Sequence, residues 1–93
     1  MNNCSVSDNL LKKLKKLSKK DKQFYEAVLK KIEQVIDSDN LNHYKNLRYG
    51  LKNYKRVQIG YFVLVFRTIG TKIYFEDFDH HDKIYNKLPQ KVL

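Results

Sequence analysis

The fold is decided by residues 54–79, which read YKRVQIGYFVLVFRTIGTKIYFEDFD. From Tyr54 onward the side chains alternate with a period of two, which is typical of β-strands. Gly60 and the pair Gly70-Thr71 divide the stretch into three segments, and a two-residue turn that begins with glycine favours a hairpin. The middle segment, residues 61–69, is apolar on both faces and is predicted to be a central strand. The stretch therefore predicts an antiparallel meander of three strands.

Two amphipathic helices are predicted before the meander. Ser7 or Asp8 is a candidate cap for the first helix, and Ser18 with Asp21 resembles a capping box that opens the second. The apolar positions recur at helical spacing in both segments: Leu10, Leu11, Leu14 and Leu17 in the first, and Phe24, Val28, Ile32 and Val35 in the second. Because the link between them is short, we expect the helices to pack as an antiparallel hairpin.

The order of these segments predicts an α+β fold. Residues 81–88 are predicted to form a last short helix, and a weakly signalled strand is possible at residues 3–6. We therefore expect a single domain over residues 1–93, in which two N-terminal antiparallel helices pack on a small antiparallel sheet and a short helix follows.

The chain is strongly basic, with 19 Lys and Arg against 10 Asp and Glu and a net charge of +9. Such an excess suggests a polyanionic partner, namely nucleic acid, an acidic protein or an anionic membrane surface. Cys4 is the only cysteine, which excludes an intrachain disulfide and a thiolate-rich zinc site. The N-terminus does not resemble a signal peptide, and the longest apolar run, residues 61–66, is too short to span a bilayer. We expect a cytoplasmic protein that does not act at a membrane.

An acidic and histidine-rich segment, EDFDHHDKIY, occupies residues 76–85. Consecutive strand residues point to opposite faces, so His80 and His81 are poorly placed to share a metal ion. We therefore predict no metal site and no other cofactor. The alternative is a strand end that turns into a helix, with Asp79 or Asp82 as its cap.

The same segment also suits a nucleic-acid site. In a helix over residues 81–88, His81 and Tyr85 lie on one face. Histidine exchanges protons near neutral pH, and tyrosine stacks on bases. The strands and the preceding loop add basic and aromatic side chains, which suit a flexible single strand: Arg56 and Gln58, then Val63, Val65 and Arg67, with Lys45, Arg48, Tyr49 and Lys52 at the loop edge. On spacing alone, a Tyr85 packed on the sheet and a solvated His81 explain the pattern better, and each Lys or Arg taken singly is better explained as a solvated surface charge.

Three segments together resemble the RelE/ParE toxin superfamily. They are NLRYGLKNYKRVQIGYFVLVF at residues 46–66, FDHHDKIY at residues 78–85 and SDNLLKKLKKL at residues 7–17. The resemblance implies two helices backing a small sheet, and a RelB-like antitoxin as partner. It also implies one of two activities, since the RelE branch cleaves mRNA in the ribosomal A site and the ParE branch poisons DNA gyrase.

Carried over by position, the resemblance places two arginines of the family at Arg56 and His81 and its C-terminal tyrosine at Tyr85. Gln58 and Val63 stand where the family has further basic residues. We interpret the chain as a toxin that cleaves ribosome-bound mRNA through metal-free attack by the 2′-OH and so inhibits translation. The assigned residues are Arg56, Arg67, His81 and Tyr85 for catalysis, and Lys45, Arg48, Lys52, Lys55 and Gln58 for RNA binding. The alternatives are a ParE-like gyrase inhibitor and a degenerate member that only binds RNA or its antitoxin.

Overall fold

The structure, a computed structural model, describes residues 3–41, 44–46 and 54–87, with the backbone alone for Asn46 and residues 85–87. Its elements follow the order β1 (Asn3–Val6), α1 (Asp8–Lys20), α2 (Lys22–Ile36), β2 (Lys45–Asn46), β3 (Lys55–Ile59), β4 (Phe62–Ile69), β5 (Lys72–His80) and α3 (His81–Lys87). The predicted succession of two helices, three strands and a final short helix is confirmed.

The strands form one sheet in the order β1-β5-β4-β3-β2. The predicted meander is present, because β3, β4 and β5 pair antiparallel to one another. The weakly signalled N-terminal strand is also present, and it runs parallel to β5, which makes the sheet mixed. Strand β4 is central as predicted, and its residues 63–66 are buried whichever face they point to.

Glycines close both hairpins of the meander. Gly60 and Gly70 have φ of 63° and 60°, in the left-handed region that favours glycine. The flanking pairs, Ile59 with Phe62 and Ile69 with Lys72, are in register, so each turn has two residues. The two turns therefore fix the register of β3 and β5 against β4.

Side chains cap both N-terminal helices. The Ser7 hydroxyl accepts a hydrogen bond from the Leu10 amide at 3.1 Å, as the sequence predicts for one of the two candidate caps. Asp21 caps α2 by accepting from the Phe24 amide at 3.1 Å. The prediction that Ser18 opens α2 was wrong: Ser18 lies inside α1, where its hydroxyl donates to the Lys15 carbonyl at 2.7 Å. The helices therefore break at Asp21 alone.

The two faces of the sheet are covered differently. Helices α1 and α2 cover one face and form the main core with it. Its buried residues are Leu10, Leu14, Val28, Ile32, Val35, Val57, Ile59, Leu64, Phe66, Ile73, Phe75 and Phe78. On the other face, Ile84 of α3 packs against Val63 and Val65 and forms a smaller cluster. Much of this second face is left to polar side chains.

Within the described ranges 3–41, 44–46 and 54–87, no helix is both long and apolar enough to cross a membrane.

Candidate nucleic-acid interface

The face of the sheet that α1 and α2 do not cover carries a row of basic and polar residues. Lys45 pairs with Arg56 between β2 and β3, and Arg56 pairs with Val65 between β3 and β4. Gln58 pairs with Val63 one step along the same strands. Since directly paired residues share a face, these side chains lie on one surface. The expected coincidence of the β3 and β4 faces is thus present.

Arg56 lies in the middle of this surface and carries a buried donor. Its Nε is shielded from solvent, yet it has no hydrogen-bond partner within the described part of the chain. A cleft of about 240 Å³ beside it is lined by Lys45, Arg56 and Gln58. A buried charged donor without an acceptor is costly, and an anion in the cleft would provide the acceptor. The cleft therefore has the chemistry of a phosphate site.

Arg67 lies on the same face but is already engaged. Its Nε donates to Glu76 Oε1 at 2.7 Å, and its guanidinium lies 5.1 Å from the centroid of the Tyr74 ring. The hydrogen bond and charge of Glu76 raise the pKa of Arg67 above its ordinary value. A β-bulge between the pairs Val65–Asp77 and Phe66–Phe75 leaves Glu76 without a cross-strand partner of its own. Glu76 thus offsets the positive charge that Arg67 would bring to a phosphate.

Helix α3 begins at the end of the sheet that holds the β3–β4 turn, and His81 is its first residue. The His81 amide donates to the Tyr61 carbonyl at 3.2 Å, which ties the first residue of α3 to the β3–β4 turn. The imidazole is 46% exposed, and its Nδ1 lies 3.7 Å from Asp82 Oδ1. Since Ile84 packs on the sheet, α3 lies against the face that carries Arg56. The backbone of Tyr85 follows His81 by about one helical turn.

The neighbouring His80 points elsewhere. Its ring packs against Phe62 with the centroids 4.5 Å apart, and Phe62 also contacts the helix-side core. His80 is the last residue of β5 and His81 the first of α3, so strand alternation does not apply to this pair. Among the residues that the structure describes, no group of three or more His, Cys, Asp or Glu side chains is placed to hold a metal ion.

Comparison with known proteins identifies the family. A protein of Methanocaldococcus jannaschii named "Putative toxin RelE4" is 48% identical over 85 residues, which cover 88% of this chain and 88% of that protein. The chain belongs to the RelE toxin family. An uncharacterised protein of Methanosarcina mazei is 40% identical over 83 residues and spans 86% of this chain and 94% of its own length. No protein-family model matches this RelE-family chain.

Solved structures share the fold of this RelE-family toxin. The Escherichia coli RelBE toxin–antitoxin complex contains a chain with a TM-score of 0.69 at 19% identity, covering 86% of this chain and 96% of that one. The RelB–RelE complex of Methanococcus jannaschii contains a chain with a TM-score of 0.67 at 24% identity, covering 90% of this chain and 98% of that one. The resemblance inferred from the sequence is therefore confirmed for family and fold.

Two positions of this RelE-family chain bring no positive charge to the Arg56 cleft, for different reasons. Val63, where the resemblance places an arginine, is 1% exposed beneath Ile84 and serves to dock α3. Lys55, assigned to RNA binding, pairs with Phe66 and so lies on the opposite face from Arg56; its Nζ is 3.4 Å from the Tyr44 carbonyl. The structure does not bring Lys55 to the cleft.

The remaining assigned residues lie partly outside the described chain. Arg48 and Lys52 fall in residues 47–53, and Tyr49 lies in the same gap. Tyr85 lies in α3, but its side chain is outside the description. The structure therefore brings together Lys45, Arg56 and Gln58, with Arg67 on the same face and His81 at the start of the helix that packs on it.

Sequence reasoning missed a buried ion network in this RelE-family toxin. The Lys13 ammonium contacts Asp77 Oδ1 at 2.6 Å and Asp79 Oδ2 at 3.1 Å, and Asn9 Nδ2 donates to Asp77 at 3.1 Å. Asp77 is 5% exposed. These carboxylates link α1 to the end of β5 just before His81, whereas Asp79 was predicted as a possible helix cap. A signal was available, because Lys13 falls three residues after Leu10 and so within the apolar stripe of α1.

Proposed function

We propose that this RelE-family toxin is an endoribonuclease that cleaves ribosome-bound mRNA in the cytoplasm and thereby inhibits translation. The observation that carries the proposal is the buried Nε of Arg56, which has no hydrogen-bond partner among residues 3–41, 44–46 and 54–87 and lies in a cleft shared with Lys45 and Gln58. Charged donors left without an acceptor are rare in folded proteins unless they serve a function. An RNA phosphate is the acceptor that this cleft suits best, because guanidinium groups bind phosphate oxygens in a fork-like geometry.

The chemistry would use the RNA's own 2′-OH as the nucleophile. Cleavage then requires removal of the 2′-OH proton, stabilisation of charge on the phosphate and protonation of the leaving 5′-oxygen. Arg56 and Lys45 would stabilise the charge, and Gln58 would orient the phosphate. His81 would transfer protons from the start of α3, and Tyr85, one turn later, would share the proton transfer or stack on a base. No metal or cofactor takes part in the proposed reaction.

Arg67 has a smaller role in this proposal than Arg56. Its ion pair with Glu76 makes the two side chains neutral together, so its pull on a phosphate is weakened. Tyr74, which stacks beneath the guanidinium, keeps Arg67 oriented along the same face. We propose that Arg67 contacts the RNA strand next to the scissile phosphate and not at that phosphate itself.

The proposed partner is a RelB-like antitoxin. The matched chains of Escherichia coli and Methanococcus jannaschii come from RelB–RelE complexes, which supports a partner of the same kind here. The net charge of +9 supports it independently, because a partner with acidic side chains would relieve the repulsion among exposed cations.

Brief expression followed by mapping of mRNA 5′ ends tests the proposal. The wild-type chain should produce new 5′ ends that repeat in phase with codons, since the ribosome sets the position of the message. His81→Ala should reduce them by about 10² or more, the usual contribution of a positioned proton-transfer group. Unchanged 5′ ends on expression of the wild-type chain would rule the activity out.

One observation favours a second function, inhibition of DNA gyrase as in the ParE branch. Val63 replaces a basic residue that RNA cleavage would use, and it is buried beneath α3. The same expression experiment separates the two functions when gyrase-linked DNA breaks are measured in parallel. Breaks without codon-phased mRNA ends would favour gyrase, and neither signal would favour a chain that only binds RNA or its antitoxin.

A further inference from the structure

An exposed tyrosine lies in the turn between β3 and β4. Tyr61 is 83% exposed, against 52% for Leu11 and 55% for Ile69, the other large apolar side chains exposed in the described ranges. The next residue, Phe62, packs against the helix-side core, whereas Tyr61 is in neither core cluster of the described residues. An aromatic ring that stays in water gains none of the burial energy that Phe62 gains. Packing therefore does not explain the tyrosine at this position.

The backbone of this turn is held from two sides. The Gln58 side chain donates through Nε2 to the Gly60 carbonyl at 3.0 Å, and the His81 amide donates to the Tyr61 carbonyl at 3.2 Å. The position of the Tyr61 ring then depends on two side-chain torsions alone. Because tyrosine has only these two torsions, ordering its ring against a ligand costs little conformational entropy. The turn thus presents an aromatic ring from a fixed backbone.

The turn adjoins both parts of the proposed catalytic site. Gln58 lines the Arg56 cleft and also holds Gly60, and the two residues of strand from Gln58 to Gly60 span about 7 Å. On the other side, Tyr61 is joined through its carbonyl to His81, the first residue of α3. A nucleotide next to the phosphate in the Arg56 cleft therefore has its base within reach of the Tyr61 ring.

The surroundings of Tyr61 suit a nucleobase better than a protein side chain. Gln58, Gly60 and His81 are exposed, and none of them extends the apolar surface of the ring. A protein partner would leave most of an isolated ring without apolar contacts, whereas the flat face of a base covers it completely. Sites for single-stranded RNA combine cations for the backbone with exposed aromatic rings for the bases. Arg56 and Lys45 supply the cations here, and Tyr61 supplies a ring.

We propose that Tyr61 is a specificity residue that stacks on the RNA base beside the phosphate bound at Arg56. The inference rests on the proposed function and adds to it a base contact separate from that of Tyr85. Purines present a larger ring than pyrimidines, so Tyr61 favours a purine at this position of the RNA. Since stacking uses the face of the ring and not its hydroxyl, phenylalanine at position 61 keeps the contact.

Binding of two short RNAs to the full chain tests the proposal. The probes are fluorescently labelled hexaadenylate and hexauridylate, and their dissociation constants are measured by anisotropy. The wild-type chain should bind hexaadenylate more tightly than hexauridylate. Tyr61→Ala should weaken binding of hexaadenylate by about tenfold and that of hexauridylate by less, so the preference for purine falls. Tyr61→Phe should bind both RNAs within about twofold of the wild type.

Three controls separate a base contact from general effects. Ile69→Ala removes an exposed apolar side chain at the end of β4 that borders the other hairpin, and it should leave RNA binding unchanged. The double variant Tyr61→Ala/Ile69→Tyr keeps the number of tyrosines but moves one to that hairpin, so it should bind as weakly as Tyr61→Ala. The urea midpoint of Tyr61→Ala should equal that of the wild type, because the ring buries little surface.

Several results would overturn the proposal. Unchanged RNA binding by Tyr61→Ala would show that the ring does not contact RNA and would leave it to a protein partner. A loss in Tyr61→Phe as large as in Tyr61→Ala would assign the contact to the hydroxyl. Recovery in the double variant would show that any exposed tyrosine suffices, and a lowered urea midpoint in Tyr61→Ala would make the ring structural.

These outcomes are independent of mRNA cleavage. If Tyr61→Ala loses hexaadenylate binding but the wild-type chain produces no codon-phased mRNA ends, the base contact stands and the nuclease activity fails. If the ends appear and Tyr61→Ala binds RNA as the wild type does, the nuclease activity stands and the base contact fails.

Discussion

Replacing Arg56 with methionine should remove function without removing stability. The Nε of Arg56 is buried and lacks a hydrogen-bond partner within the described residues, so the wild-type chain loses free energy at this position on folding. An unsatisfied buried donor costs about 1–3 kcal/mol. Methionine retains an unbranched apolar stem of similar length and has no donor to satisfy. We therefore expect the free energy of unfolding of Arg56→Met to be unchanged or higher by up to about 2 kcal/mol.

The assay is urea denaturation with the cleavage reaction measured beside it. Because m in urea is about 1–3 kcal/mol/M for a small protein, a gain of about 2 kcal/mol raises the urea midpoint by roughly 1 M, which is easily resolved. The m-value should stay constant, because the surface exposed on unfolding does not change. Cleavage of ribosome-bound mRNA should fall by about 10² to 10³, as when a preorganised charge-stabilising donor is removed.

Arg67→Met is the matched control, since it makes the same replacement on the same face. It breaks the 2.7 Å contact with Glu76 and the packing on Tyr74, so its stability should fall rather than rise, and its cleavage should fall less than that of Arg56→Met. A clear loss of stability in Arg56→Met at constant m-value would show that Arg56 is structural. Full cleavage activity in that variant would refute its role at the phosphate.

Three further predictions concern the surroundings of the cleft. Lys13→Met leaves the carboxylate of Asp77 buried without its ammonium partner. The free energy of unfolding, measured by urea denaturation, should fall by about 2–3 kcal/mol. This loss is smaller than for a fully buried pair because Lys13 is partly exposed. Glu76→Gln releases Arg67 and should strengthen binding of a short single-stranded RNA and steepen its salt dependence by about one phosphate contact, measured by anisotropy. Ile84→Ala should lower the free energy of unfolding by about 2 kcal/mol and weaken the packing of α3 on the sheet. It should abolish cleavage, while the far-UV circular dichroism spectrum remains near that of the wild type.

Each of these variants has a control on the same chain. Lys16→Met alters the same helix without touching the ion network, so equal destabilisation by Lys13→Met and Lys16→Met would argue against a role for the network. Glu33→Gln changes the net charge as Glu76→Gln does but lies exposed on α2. RNA binding that rises equally in both variants would reflect overall charge alone. For Ile84→Ala, retained cleavage would show that α3 is not needed for the reaction.

Much of the fold was predictable because it depends on local patterns. The apolar run of β4, the glycines at 60 and 70 and the helical stripes of α1 and α2 each specify an element through a period or a turn conformation. The parallel pairing of β1 was only weakly signalled, since four exposed or half-buried residues carry little periodicity. The end of α1 was misplaced because Ser18 satisfies its hydroxyl within the helix, so the cap falls to Asp21 alone.

The candidate site was predictable in part for the same reason. Strand alternation correctly placed Arg56 and Gln58 on one face. Alternation could not show that Glu76 neutralises Arg67, because that contact depends on a bulge in β5. Nor could it show that Lys13 joins α1 to Asp77, a contact between residues 64 positions apart. Long-range ion pairs have no periodic signature, and they decide which charges remain for a ligand.

The central claim, cleavage of mRNA by its own 2′-OH in the Arg56 cleft, is tested most directly with a ribosome-bound message that carries a single 2′-deoxynucleotide at the cleaved position. We predict that the wild-type chain cuts the all-ribose message to a product ending in a 2′,3′-cyclic phosphate and leaves the deoxy message intact at that position. Cleavage of the deoxy message at the same bond would contradict the account.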